Sequence, residues 1–217
     1  MNAKIYPESG VELTPFTARN YDRVMNIGSL GIYKSFINKV IHEMEIKPAD
    51  QILDLGCGTG RNAGLMSSYL NDKGGITGLD ISEDMEKQFR IRFKDDKRVE
   101  FVNKRIDQPI DLQKIYDKVF ISFVIHGFPN EVRAAVIKNA FDHLKPDGAF
   151  FILDFAEFDI AEMPGLHRFI FKKVECIYAF DYIKRDWKDI LKSYGFENFT
   201  EHLHLRKYVR LLKAVKQ

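Results

Sequence analysis

Apolar residues recur at Ile32, Phe36, Ile37, Val40, Ile41 and Met44, a spacing that lines one face of a helix. Lys47-Pro48 should end that helix, since a residue before proline disfavours the α region. Short continuous apolar runs then alternate with amphipathic stretches. Residues 51–55 read as a buried strand, followed by a glycine turn and a helix over about 61–70. Asn71-Asp72-Lys73-Gly74-Gly75 is a turn signal, and 76–79 a second strand. Ser82 should cap a helix to about residue 93, with Glu83 and Asp84 in its first turn, where the helix dipole favours carboxylates. Strands are expected over 99–102, 118–123 and 149–155, helices over 131–144 and 186–194, and a hairpin-like pair over 199–215.

Strands that read as unbroken apolar runs belong to a parallel sheet covered on both faces. The closing pair alternates apolar with polar residues, as antiparallel strands with one wet face do. The expected fold is therefore α/β: a Rossmann-like three-layer sandwich around a mostly parallel seven-stranded sheet with an antiparallel C-terminal hairpin. Residues 1–46 read as an N-terminal helical cap segment and 47–217 as the Rossmann-like body, one structural domain overall.

Composition narrows the function classes. The chain has 217 residues, enough for one well-buried domain, and 45% are hydrophobic and 29% charged, as in soluble globular proteins. Its 33 basic and 31 acidic residues leave a net charge of +2. The local basic excess at 206–216 alternates with apolar residues, so a strand with one wet face explains it better than a nucleic-acid stripe. No nucleic-acid partner is expected. Two cysteines, Cys57 and Cys176, give neither a disulfide framework nor metal-ligand spacing. His202 and His204 share a strand face without an evident third ligand, and no metal is expected. With no apolar leader at Met1 and no run of membrane-spanning length, a cytoplasmic protein is expected, with peripheral contact to a membrane surface left open. Monomer and homodimer are both compatible with the sequence.

The chemistry concentrates at Asp54-Leu55-Gly56-Cys57-Gly58-Thr59-Gly60. Glycines between a strand and a helix let backbone approach a ligand, and the helix beyond begins with amide donors. The spacing is G-x-G-x-G, unlike the G-x-G-x-x-G of dinucleotide binders. Asp54 sits at the strand's end, where open α/β sheets bind ligands. A carboxylate there repels a pyrophosphate and suits an ammonium, which favours an amino-acid-bearing nucleoside over a nicotinamide dinucleotide. Asp80 ends the second strand, placed to accept ribose hydroxyls; its spacing from Asp54 favours that role over a solvated acid ahead of Ser82.

The segment Ile52-Leu53-Asp54-Leu55-Gly56-Cys57-Gly58-Thr59-Gly60-Arg61 resembles motif I of class I S-adenosylmethionine-dependent methyltransferases, and Gly78-Leu79-Asp80-Ile81-Ser82 resembles their second motif. Phe120 to His126, His143 to Phe155 and Tyr194-Gly195-Phe196 are similar to further family segments. The resemblance implies the cofactor S-adenosyl-L-methionine, leaving as S-adenosyl-L-homocysteine. It implies that Asp54 and Gly56 hold the methionine moiety, Asp80 the ribose and Ile81 one side of the adenine, with Cys57, Gly58, Gly60 and Arg61 also binding the cofactor. Where the family often has Gly-Asp-Ala, this chain has Lys104-Arg105-Ile106 and then Asp107. Arg105 and Ile106 are the corresponding adenine candidates, and the partner of the amino group stays open. Ser122 and Phe123 would line the reactive end.

A weaker resemblance, to ubiquinone/menaquinone biosynthesis C-methyltransferases, is carried by residues 18–26, Ser29-Leu30-Gly31-Ile32 and Leu153-Asp154-Phe155. The chain departs from them in a shorter stretch between Phe155 and Tyr178 and in Gly-Cys-Gly-Thr-Gly where they commonly have Gly-Gly-Thr-Gly. His126 is the candidate base, against a capping or core histidine. Tyr21 is a candidate to close over the cofactor, against a packing aromatic. Cys57 reads as a small loop residue, since no base accompanies it. Residues 157–182 read equally as a short lid over an apolar acceptor site or as plain packing. The Asn/Asp-Pro-Pro-aromatic motif of base-amino methylation is missing after strand four, where Phe123-Val124-Ile125-His126 stands. The expected activity is methyl transfer to a small-molecule or lipid-like acceptor, a quinone precursor among the options. The alternatives are a nucleic-acid or protein methyltransferase, or a non-catalytic protein that binds the same cofactor.

Overall fold

In the computed structural model, residues 32–217 are described. Tyr21 and the 18–26 stretch, with most of the expected cap segment, lie outside the described residues. Seven strands form one sheet in the order β3-β2-β1-β4-β5-β7-β6: β1 (Gln51–Leu55), β2 (Gly75–Asp80), β3 (Val99–Asn103), β4 (Tyr116–Ser122), β5 (Leu144–Phe155), β6 (Phe196–His204) and β7 (Val209–Lys216). Pairing is parallel from β3 across to β5, while β7 runs antiparallel to both β5 and β6.

The apolar runs are continuous because successive side chains point to opposite faces and both faces are covered. On one face Ile52, Ile76, Phe120, Phe151 and Leu153 pack beneath α1 (Ile32–Glu43), α2 (Arg61–Ser67) and α3 (Glu83–Arg92). On the other, Leu53, Leu55, Val119, Ile121, Phe150 and Ile152 meet α4 (Asn130–His143), α5 (Gly165–Val174), α6 (Ile177–Tyr182) and α7 (Trp187–Lys192). Each fully buried Ile, Leu or Phe contributes about 1.5–3 kcal/mol of transfer free energy. The expected apolar stripe of α1 is real: Ile37, Val40, Ile41 and Met44 are buried against the sheet. The helix ends earlier than Pro48, because Glu45 takes a left-handed φ of 50° and closes it.

The closing pair differs in one respect from an edge hairpin. Only β6 is the edge; β7 is inserted between β5 and β6 and buries Val209, Leu211, Leu212 and Ala214. Its Arg210, which reads as a wet position, is buried and paired with Glu157 and Glu201. Strand order reverses between β1 and β4, and the crevice beyond their carboxyl ends is where open α/β sheets place a ligand. The described residues contain no helix long and apolar enough to cross a membrane.

Candidate functional site

Gly56 and Gly60 both hold φ of +74°, a backbone conformation that side chains resist. Space forbids a side chain as well: a Cβ at Gly56 would lie 2.9 Å from Val124 Cγ2, and one at Gly60 2.6 Å from the rings of Phe89 and Phe93. The loop is tied to the neighbouring strand. Gly56 and Cys57 both donate to the Leu79 carbonyl at 2.8 and 3.0 Å, Gly60 donates to the Cys57 carbonyl at 3.0 Å, and Gly58 donates to Asp80 Oδ2 at 2.9 Å. These four amides are therefore satisfied within the protein. None of the four is left to hold a phosphate.

Asp54, like Asn62 at the start of α2, buries a side-chain oxygen that has no hydrogen-bond partner. It lies on β1 beside the loop, 2% exposed, and its Oδ2 has no hydrogen-bond partner. Burial, with a smaller push from Asp80, raises its pKa to about 7. A buried carboxylate oxygen without a donor is costly, and a cation relieves both the desolvation and the repulsion. Asp80 is enclosed at the end of β2, where its oxygens accept from Gly58 and, at 2.9 Å, from Ser82. Burial raises its pKa, and those amides hold it down in part. Asp80 thus ties the glycine loop to the start of α3, whose Ser82 caps Met85 at 3.3 Å.

The other residues named from the sequence have varied surroundings. Ile81 is exposed beside Asp80. Cys57 turns its sulfur into the protein toward Gly78, and burial, Asp54 and Asp80 push its thiol up, so no thiolate is available. Arg61 opens α2 just past the loop. Arg105 makes a forked pair with Asp107, at 2.9 and 2.5 Å, and Ile106 is buried in the core. Ser122 ends β4. Phe123 takes a left-handed φ of 52°, held by its amide on the Leu153 carbonyl at 2.9 Å, and its ring tilts against Phe36. A non-glycine residue in that conformation stores strain at the strand's end.

His126 sits on the 3₁₀ turn Ile125–Gly127 that follows β4. Its Nδ1 lies 2.7 Å from Asp154 Oδ1, and its Nε2 3.6 Å from Glu175 Oε2. Burial by itself lowers the pKa of this imidazole, but Asp154 and Glu175 together outweigh it and the net shift is upward. Burial in turn raises the pKa of Glu175, while His126 draws it down. Arg133, buried in α4, positions the turn: it donates to the carbonyls of Ile125, His126 and Tyr178 and pairs with Asp181 at 2.6 Å. Asp154, Glu175 and Arg133 escape a reading of spacing alone. The available signal was Asp154, the single acid inside the apolar run 149–155. His202 and His204, by contrast, flank Glu43, with His204 Nε2 at 2.8 Å, and among the described residues no group of three such side chains converges as a metal site.

The segment 157–182 folds into a short 3₁₀ turn, α5 and α6. Phe171 of α5 packs edge-on against Phe155, Phe158 and Phe180, and Glu175, just past the helix, reaches His126. The segment therefore closes against the carboxyl edge of the sheet.

Comparison with known proteins follows the same lines. The sequence model of the ubiE/COQ5 methyltransferase family matches residues 12–179. The chain is 28% identical over 163 residues to the ubiquinone/menaquinone biosynthesis C-methyltransferase UbiE of Wigglesworthia glossinidia brevipalpis, covering 74% of this chain and 61% of that protein. It is 29% identical over 161 residues to the demethylmenaquinone methyltransferase of Staphylococcus carnosus, covering 74% of this chain and 66% of the relative. It thus spans less than two thirds of the length of either. Among solved structures, a SAM-dependent methyltransferase from Aquifex aeolicus superimposes with a TM-score of 0.67 at 18% identity, over 95% of this chain and all of that one. The pyocyanin biosynthetic protein PhzM gives 0.67 at 13% identity, over 95% of this chain and 62% of its own. These two likenesses establish the fold.

Proposed function

Because the chain belongs to the ubiE/COQ5 methyltransferase family, we propose that it transfers a methyl group from S-adenosyl-L-methionine to a small, lipid-like acceptor of the quinone-precursor class. The observation that carries this reading is the partnerless Oδ2 of Asp54, buried beside the glycine loop at the point where strand order reverses. An ammonium group is the partner that site lacks, and the amino-acid end of the cofactor carries one. The bound cofactor would supply an activated methyl on a sulfonium, so the protein's part is positioning and exclusion of water.

Asp54 would hold the ammonium, with Gly56, Cys57, Gly58, Gly60 and Arg61 shaping the cradle around the methionine end. Asp80 accepts from the amides of Gly58, Ile81 and Ser82 and would use its remaining lone pair for the ribose hydroxyls. The exposed Ile81 would cover one face of the adenine. Ile106 would approach the other only through the small part of it left uncovered, and Arg105, already forked onto Asp107, would contribute the edge of its guanidinium. Ser122 and the strained Phe123 would line the reacting end.

An aromatic carbon acceptor must lose a proton as it gains a methyl group. His126 would take it. With Nδ1–H donating to Asp154, Nε2 would be the basic atom. Because the imidazole pKa is raised, the neutral form that can act as base grows in at pH above the usual histidine range. Tyr21 is proposed to close over the cofactor from the N-terminal segment.

The reading is tested by incubating the protein with S-adenosyl-L-methionine labelled in its methyl group and a demethylated quinol carrying a short prenyl tail. Label entering the organic phase supports it. Label that stays with the cofactor, beside intact S-adenosyl-L-homocysteine binding in a calorimeter, would leave a cofactor-binding protein without this activity. In the same calorimeter Asp80→Ala should weaken binding by about 1.5–3 kcal/mol, since the lost acceptor is charged.

A further inference from the structure

The second helix face of α5 has no partner among the described residues. Leu166 is 69% exposed and Val174 72%, and Phe169 and Ile170 are exposed with them. Leu166, Phe169, Ile170 and Val174 fall at positions i, i+3, i+4 and i+8, one side of the helix, while Phe171 faces the other way into the aromatic cluster. Between Gly165 and Val174 the helix carries Arg168, Lys172 and Lys173 and no acidic residue. An exposed apolar face of this kind, with Lys173 within it, is a candidate interaction surface.

We propose that this face of α5 docks on an anionic lipid bilayer, apolar side chains entering the boundary between headgroups and chains. Lys173 decides the occupant. It lies on the exposed face between Phe169 and Val174, where its stem can lie along the apolar residues while its ammonium reaches a headgroup phosphate. A two-fold contact with a second copy would bring the same cationic face against itself. Lys173 within the face and Lys172 on its flank are complementary to anionic lipid. Docking also gives the fold a direction. Glu175 follows α5 immediately and touches His126, so the membrane-bound helix would sit at the mouth of the crevice. The use of that placement rests on the lipid-like acceptor proposed above; the docking itself does not.

The test is sedimentation of the full chain with vesicles of phosphatidylcholine alone or mixed with phosphatidylglycerol, followed at rising salt. The expected result is capture by the anionic vesicles, weakened by salt. Phe169→Glu combined with Ile170→Glu should abolish it. Lys172→Gln and Lys173→Gln should each weaken it by about fivefold. All these variants should keep the wild-type melting temperature and S-adenosyl-L-homocysteine affinity, since the positions are exposed. Wild-type protein that stays in the supernatant overturns the proposal, as does a Phe169→Glu/Ile170→Glu variant that still sediments. A wild-type dimer that the same pair of substitutions dissociates assigns the face to a second copy and overturns it too. Vesicle capture without any S-adenosyl-L-homocysteine binding would instead remove the methyltransferase reading and leave the docking intact.

Discussion

Asp54 makes cofactor affinity depend on pH in a direction that ordinary carboxylates do not. Without ligand its pKa stands at about 7 instead of the ordinary 3.8. At 1.36 kcal/mol per pH unit, restoring the ordinary value would be worth at most ~4 kcal/mol. An ammonium seated on Oδ2 favours the ionised form, so binding below neutral pH must first expel the Asp54 proton. Affinity for S-adenosyl-L-homocysteine should therefore climb by up to tenfold per pH unit from about pH 5 to about 7, then level off. Calorimetry in buffers of different ionisation enthalpy should find close to one proton released per ligand near pH 6, falling toward zero above neutrality. 5′-Methylthioadenosine, which lacks the amino-acid end, should show no such rise. Asp54→Asn should flatten the profile and bind S-adenosyl-L-homocysteine more weakly at pH 7.5. A wild-type affinity independent of pH across this range, with no proton released, would refute the placement of an ammonium on Asp54.

The same carboxylate sets a stability slope in the unliganded protein. Between pH 3.8 and about 7 the folded state keeps a proton that the unfolded chain has lost, so stability must fall as pH rises through that window. Asp54→Asn should remove this slope and be more stable than wild type at pH 8 by ~1–4 kcal/mol, read from urea unfolding. For His126, the rate should rise with pH along a limb lying above the usual histidine range, because its acidic neighbours raise its pKa. Glu175→Gln should move that limb to lower pH, and His126→Asn should erase it; an unmoved limb in both variants would exclude the base role. Arg133→Met should lower stability by ~2–4 kcal/mol, because the carbonyls of Ile125, His126 and Tyr178 each lose a donor. An Arg133→Met variant as stable as wild type would show that water replaces the guanidinium.

What was legible in the chain follows from physics acting over short range. The runs around Ile52, Ile76, Phe120 and Phe151 show their strands because a doubly covered sheet needs apolar residues on both sides. The glycine loop was legible because three positive-φ positions admit little else. The insertion of β7 between β5 and β6 was not legible, because register between distant strands leaves no local trace and Arg210 disguises an interior strand as a wet one. The destination of the loop amides was equally hidden: Leu79 and Asp80 take them from the adjacent strand. His126 could be named from its place after β4, but its environment could not. Asp154 is 28 residues away and Glu175 farther still, and only the folded sheet edge brings them together.

The site's function depends on where the amino-acid end of the cofactor binds. A crystal structure with S-adenosyl-L-homocysteine decides it directly. The ligand's amino nitrogen should lie within hydrogen-bonding distance of Asp54 Oδ2 and its ribose hydroxyls on Asp80. A nucleoside bound away from the β1–β4 crevice, or one that leaves Asp54 without a cationic partner, would contradict the account.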